Sequence, residues 1–504
     1  MPLDVIKKEI ETEQNIGYRY VQFQTRAEAL VPGAGREVIE PLLWDANASV
    51  IRADVQADRL VLDGLLTCQA VYRQGEESSL RALSAKNAIS QVIEIAGAAG
   101  GMLARVVPEV EETRADYENG HMVFTVSIGL HAWVRRLEPV EVITGVENAL
   151  RLETRFRECR FVKLAAEANE TAVLTERAEL PEALDARGTL MDWGFVMVDS
   201  AQPDLGGVRV KGRATVETLI ASGVEGRPAV QVRTPIAFDK LIELPEWLTQ
   251  DACVLPAMRA VRTQVEPSDD GEKSMLTVQA DVHFEIAANL RETVEALEDA
   301  YSSGENAVNV EMQRFDASAS VECAQTTETV RGVCMLGENA PSAGEIICVR
   351  ASASVAETEA QNGRTRVRGI LTANVLYLTD AGVPAAVQGE LPFEIDVPQT
   401  LREDSMLRIS VTGAEAGAVM TDRVEFRATL NVWSETRVQE SFALVSALTE
   451  GDPVVRAPGY VVMWPGEGET AWEIGRRCGV PVAEVEANAQ EGQVAPGKPI
   501  ILKA

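Results

Sequence analysis

The chain has few residues able to do chemistry. There are three histidines, His121, His131 and His283. None falls in an H-x-x-x-H pattern or beside a C-x-x-C pair, so no tetrahedral zinc site can be assembled from spacing. His131 and His283 occupy comparable places in two similar strand-like clauses, the position of a strand histidine satisfied by its neighbours. The seven cysteines, at 68, 159, 253, 323, 334, 348 and 478, are odd in number and scattered. They read as unpaired small hydrophobes in a reducing compartment. Acidic pairs such as Glu111–Glu112 and Asp269–Asp270 sit in polar, turn-like clauses and read as solvated faces rather than a general acid and base. Gly492 to Lys498 matches the first part of a phosphate-binding loop. Pro499 then replaces the hydroxyl that would bind magnesium, and a β-type run follows where a helix should begin. The expectation is a non-enzymatic chain, with no catalytic residue, no metal and no cofactor.

The most organised stretch is the last, 460–504. Tyr460 to Trp464 reads as a strand and Pro465 to Gly468 as a turn. Thr470-Ala471-Trp472-Glu473 has the form of a capping box, in which the threonine hydroxyl and the N3 glutamate each satisfy an orphan amide. A helix follows to about Cys478, closed by Gly479. Ala471, Ile474, Gly475 and Cys478 lie on one stripe. Trp472 lies about 100° off it, only partly covered by that core. A second helix begins after Pro481, with Val482 and Val485 inward, and a closing strand runs from Pro499 to Leu502.

The elements before this module repeat. Leu62-Asp63-Gly64-Leu65, Val210-Lys211-Gly212-Arg213 and Val367-Arg368-Gly369-Ile370 each place a glycine ahead of a strand-like run, roughly 150 residues apart. Met122–Leu130, Met275–Phe284 and Val424–Trp433 alternate apolar and polar residues, the period of a half-buried strand. Each follows a turn clause: Glu118-Asn119-Gly120, Ser268-Asp269-Asp270-Gly271 and Thr421-Asp422-Arg423. Pro235–Ile242 and Pro392–Val397 form a third match, with Asn87–Ile93 as a looser counterpart read as strand. The fold expected is mainly β: three repeated antiparallel sandwich or open-barrel-like domains, then a small α+β module of βααβ order. The divisions expected are a lead segment 1–16, repeats at 17–147, 148–303 and 304–450, a linker at 451–459 and the module at 460–504. The net charge of −30 argues against nucleic acid. No apolar run at the N-terminus reads as a signal peptide, and none is long enough for a spanning helix.

The terminal stretch resembles the LysM domain. The Gly-Asp-Thr, Leu-Trp, Ile, Ala and Asn positions of that signature are met by Gly468-Glu469-Thr470, Ala471-Trp472, Ile474, Gly475 and Asn488, and its closing apolar strand by Pro496-Gly497 and Ile500-Ile501-Leu502. The resemblance implies that Gly468, Glu469, Thr470, Trp472, Ile474 and Asn488 lie at or beside a groove that grips N-acetylglucosamine chains. Three departures, Glu469, Ala471 and Gly475, fall at or near its first loop. Repeated β-domains followed by one such module resemble the SPOCS-domain, or SipL-like, family. That resemblance rests on the Gly64, Gly212 and Gly369 strands and the Asp422–Trp433 clause. It implies a scaffold of clostridial spore-coat assembly in the mother-cell cytosol, docking through its terminal module to the SpoIVA-type coat-basement ATPase at the forespore surface and meeting other coat proteins. The alternatives are a glycan-binding protein of cortex or wall, and an enzyme hidden in one repeat.

Overall fold

The computed structural model describes residues 3–33, 38–75, 79–147, 151–244, 252–267, 273–337, 340–420, 423–454, 459–489 and 494–503. The clauses 268–271 and 421–422, the acidic pair 269–270 and the start of the loop-like match at 492–493 lie outside them.

The first repeat runs β1 (Val5–Leu30), β2 (Ile39–Gln56), β3 (Arg59–Gln74), β4 (Leu80–Glu94), β5 (Leu103–Glu118) and β6 (His121–Val146). The second runs β7 (Leu152–Glu179), β8 (Ala186–Asp204), β9 (Gly207–Ser222), β10 (Ala229–Glu243), β11 (Ala252–Pro267) and β12 (Ser274–Ser302). The third runs β13 (Asn306–Met335), β14 (Ala343–Gln361), β15 (Arg364–Thr379), β16 (Pro384–Val397), β17 (Met406–Met420) and β18 (Arg423–Pro453). Each repeat has the same wiring. Its second, third and fourth strands form one antiparallel sheet, and its sixth strand lies between the first and fifth in another. β1 begins at Val5, so the lead stretch supplies half of a paired strand. Asn119-Gly120 and Asn362-Gly363 take positive φ at both positions of two hairpins, the geometry that a right-handed strand twist selects.

The three repeated glycines have one physical cause. Gly64, Gly212 and Gly369 sit in the central strands β3, β9 and β15, each opposite a bulge in the preceding strand. Those register shifts fall at Val50/Arg52, Val198/Ser200 and Val355/Glu357. The bulge pushes a carbonyl inward. A Cβ would stand 2.6 Å from Ser49 O at Gly64, 2.2 Å from Met197 O at Gly212 and 2.2 Å from Ser354 O at Gly369. Across the other edge, Ile89, Phe238 and Phe393 face these glycines and cover the gap.

Each repeat encloses a core between its two sheets, Leu62 and Leu66 against Phe124 and Ile128 in the first, for example. The repeats also share cores. The six long strands β1, β6, β7, β12, β13 and β18 run past their own sheets and pack together, and register shifts interrupt each long pair. Successive layers along them draw on all three repeats. One holds Ile143, Leu297 and Val445. The next holds Ile10, Phe161 and Phe442, and a third holds Trp133, Leu255 and Trp433.

Between the last two layers in strand order lies a buried ionic layer. Arg105 donates to Glu285 (3.1 Å) and Glu435 (2.8 Å), and Arg437 donates to Glu13 (2.8 Å), Glu435 (3.0 Å) and Asn289 (3.0 Å). The groups come from all three repeats. Sliding one repeat past another would leave a buried charge without its partner, a large penalty that fixes relative register. Cys253 of β11 and Cys323 of β13 are joined in a disulfide beside this layer. This corrects the reading of all seven cysteines as unpaired. The two belong to different repeats, 70 positions apart, so only packing of the repeats brings them together.

After the third repeat come β19 (Tyr460–Met463), α1 (Ala471–Cys478), α2 (Val482–Asn488) and β20 (Ile500–Lys503), with β19 and β20 antiparallel.

Candidate docking site in the C-terminal module

The module is built from its caps outward. Thr470 Oγ1 accepts from the Glu473 amide (3.3 Å), and Glu473 returns a carboxylate oxygen to the Thr470 amide (2.8 Å). The Thr470 amide and then the Thr470 hydroxyl, both donating to that carboxylate, hold the Glu473 carboxyl below its ordinary range. Gly479 closes α1 at φ 65°. The core is small: Ile474, Val480, Val485, Ile500 and Leu502 are buried, with Ala471 and Cys478 packed against them.

The six residues singled out from the sequence take different roles. Gly468 turns the chain at φ 76°. Glu469 accepts from the Gly466 amide at 3.0 Å and pairs with Arg477 at 2.7 Å, so its carboxylate closes the first loop. Thr470 is the cap. Ile474 is fully buried in the module core. Asn488 is exposed at the end of α2, where its amide donates to Glu484 O at 2.8 Å.

Trp472 faces the second repeat. Its indole nitrogen donates to Asp299 at 2.9 Å, its ring meets Tyr301 edge-on at 4.9 Å, and the Arg155 guanidinium lies 5.2 Å over it. Arg476 reaches the same Asp299 oxygen at 2.5 Å. The Tyr301 hydroxyl donates to Val480 O at 2.9 Å, and Glu153 accepts from the Val482 amide, at the start of α2, at 3.4 Å. A Cβ on Gly475 would stand 2.3 Å from the Tyr301 hydroxyl. The glycine that stands where the LysM signature has alanine therefore lets α1 approach the repeat.

Asp299, Tyr301, Arg155 and Glu153 escaped the sequence reading. Their one signal is local: Asp299-Ala300-Tyr301 closes β12, while the ends of β6 and β18 carry no such pair.

The outer face of the two-stranded β19–β20 sheet points away from the module core. Tyr460, Val462, Trp464 and Ile501 are exposed there, Tyr460 to 75% and Trp464 to 62%. That concentration of large apolar groups on so small a sheet marks an interaction surface rather than scattered exposure.

Other clusters are accounted for locally. His131 contacts the Tyr18 hydroxyl at 2.9 Å and Trp133 by stacking. His283 lies between Thr171 and Arg259, and burial beside that guanidinium lowers its pKa. The sulfurs of Cys253 and Cys323 lie within 4.8 Å of a Glu435 oxygen. The sulfurs are bonded to each other, and Arg105 and Arg437 occupy both Glu435 oxygens. A cleft of about 590 Å³ opens between the first and third repeats, lined by Gln14, Glu138, Glu141, Gln313 and Arg314 among others. Its two glutamates pair with Arg136 and Lys7. No helix among the described residues is long and apolar enough to cross a membrane.

No curated protein and no solved structure matches the chain. Residues 37–118 match the family model described as SipL, SPOCS domain. That segment spans β2 to β5 of the first repeat, and β8–β11 and β14–β17 repeat its strand order and pairing. The match supports a SPOCS, SipL-like chain with a sporulation-related role.

Proposed function

We propose that the chain is a non-enzymatic scaffold of spore-envelope assembly. It works in the mother-cell cytosol and docks through its C-terminal, LysM-like module to a SpoIVA-type coat-basement ATPase at the forespore surface. Other coat proteins are further partners. The observation that carries this reading is the one-sided attachment of the module. Trp472, Gly475, Arg476 and Val480 are committed to the second repeat, while the Gly468–Thr470 loop, Asn488 and the outer face of the β19–β20 sheet remain open. A module so held presents its open side in a fixed orientation, which lowers the entropic cost of capturing a partner. The altered first loop, in which Glu469 is tied to Gly466 and Arg477, favours a protein over a sugar chain.

The test is capture of a SpoIVA-type ATPase from sporulating lysate by the full chain and by a chain lacking 460–504. Loss of capture on deletion is expected, and capture that persists refutes docking by the module. Sedimentation with purified peptidoglycan runs in parallel. Retention there would shift the reading to a glycan-binding protein of cortex or wall.

A further inference from the structure

Two of the seven cysteines differ from the rest. Cys253, on β11 of the second repeat, and Cys323, on β13 of the third, are bonded across the seam between repeats with their Cα atoms 6.1 Å apart. Cys253 is buried and Cys323 is exposed. β13 is an edge strand of its sheet, and Cys323 is an exposed residue on it. By contrast, Cys68, Cys159, Cys334 and Cys348 are buried free thiols. Burial pushes Cys68 up to about 12 and Cys334 up to about 11, far from thiolate formation. Solvent-borne thiol chemistry in the repeats is therefore directed to one bond.

We propose that the Cys253–Cys323 bond is a thiol-exchange site for a low-molecular-weight thiol of the glutathione class, attacked at the exposed Cys323 sulfur. In the first step the incoming thiolate forms a bond to Cys323 Sγ. The bond to Cys253 breaks, and Cys253 leaves with the electron pair and takes a proton from water. In the second step another thiolate attacks the incoming sulfur, releasing the oxidised thiol dimer and leaving Cys323 as a thiol. The sum is two small thiols oxidised to one disulfide and one protein disulfide reduced to two thiols. The direction of attack follows from access, since Cys253 is shielded beside Asn289, whose amide lies 4.0 Å from its sulfur.

The consequence is mechanical. The bond abuts the ionic layer, with Cys323 opposite Glu435 in the β13–β18 ladder. Opening it removes the side-chain cross-link between β11 and β13 and leaves the second and third repeats joined by the backbone from β12 to β13 and by noncovalent contacts. The exchange thus sets how rigidly the repeats are held.

The test uses the full chain. Native protein is incubated with oxidised glutathione, or with a graded excess of reduced glutathione, then alkylated and mapped by peptide mass. Oxidised protein should give the linked Cys253–Cys323 peptide. At low excess, reduced glutathione should give glutathione on Cys323 and alkylation on Cys253, and at high excess alkylation on both, with Cys68, Cys159, Cys334 and Cys348 unmodified. Cys253→Ser should take glutathione at Cys323, and Cys323→Ser should leave Cys253 unmodified. Reductant should lower the melting temperature of the wild type and leave that of either variant unmoved. Free thiols at both positions after oxidised glutathione, a linked peptide that survives excess reduced glutathione in the native state, or modification first at Cys253 would each overturn the proposal.

Discussion

Replacing Asp299 with alanine should release the C-terminal module from the second repeat without unfolding either part. The Asp299 side chain is 11% exposed, and one of its oxygens receives both the Trp472 indole, at 2.9 Å, and Arg476, at 2.5 Å. A hydrogen bond to a charged group contributes about 1.5–3 kcal/mol. The Arg476 side chain is 53% exposed, so solvent screening limits its ion pair to about 0.5 kcal/mol. The combined loss is about 2–3.5 kcal/mol, which shifts the docked-to-released ratio by roughly 30- to 300-fold. Asp299→Asn keeps an acceptor for the indole and should fall between wild type and alanine. Hydrogen exchange read by mass spectrometry should show faster exchange at the start of α2, where Val482 donates to Glu153. Protection of β20 should be unchanged, because the module core does not involve Asp299. Small-angle scattering should show a larger maximum dimension. Wild-type exchange and scattering in Asp299→Ala would refute the clamp.

Gly369→Ala places a methyl group 2.2 Å from Ser354 O and 2.4 Å from the Phe393 ring; a loss of about 1–3 kcal/mol should appear in the urea midpoint, and an unchanged midpoint would remove the bulge argument. Thr470→Ala breaks the capping box and should cost α1 about 1 kcal/mol, seen as faster exchange confined to the module. Glu435 is buried, and Arg105 and Arg437 hold its carboxyl at about 2 against an ordinary value of 4.5. A depressed carboxylate stabilises the fold above its unfolded value, and that stability is lost as pH falls from about 4.5 through about 2. The shift corresponds to about 3 kcal/mol. The stability gap between wild type and Glu435→Gln should therefore be widest near neutrality and narrow below pH 4. A gap independent of pH would mean that Glu435 is not held ionised.

Much of the β-architecture was legible because strand signals are local. The alternation in Met122–Leu130, Met275–Phe284 and Val424–Trp433 marks the sixth strand of each repeat, and the glycines mark the third. Asn87–Ile93 is strand, as the repeat implied against its local ambiguity. The capping box was legible for the same reason, since all its atoms lie within four residues. The disulfide was not, because its partners meet through packing of two repeats. Nor was the ionic layer: Arg105, Glu285 and Glu435 each look like a solvated charge in their own strand.

The terminal module shows the division most clearly. Its residue order by itself determined a capped helix, a second helix and two short flanking strands, because turn and cap chemistry act over a few residues. Where that module sits was decided only by tertiary structure. Trp472 reads alike as a core lid or a partner anchor until β12 brings Asp299 and Tyr301 to it, and Gly475 reads only as a departure from the LysM signature until the Tyr301 hydroxyl is found where its Cβ would stand. Long-range contacts carry that information because they depend on how three repeats close on one another, which no local pattern encodes.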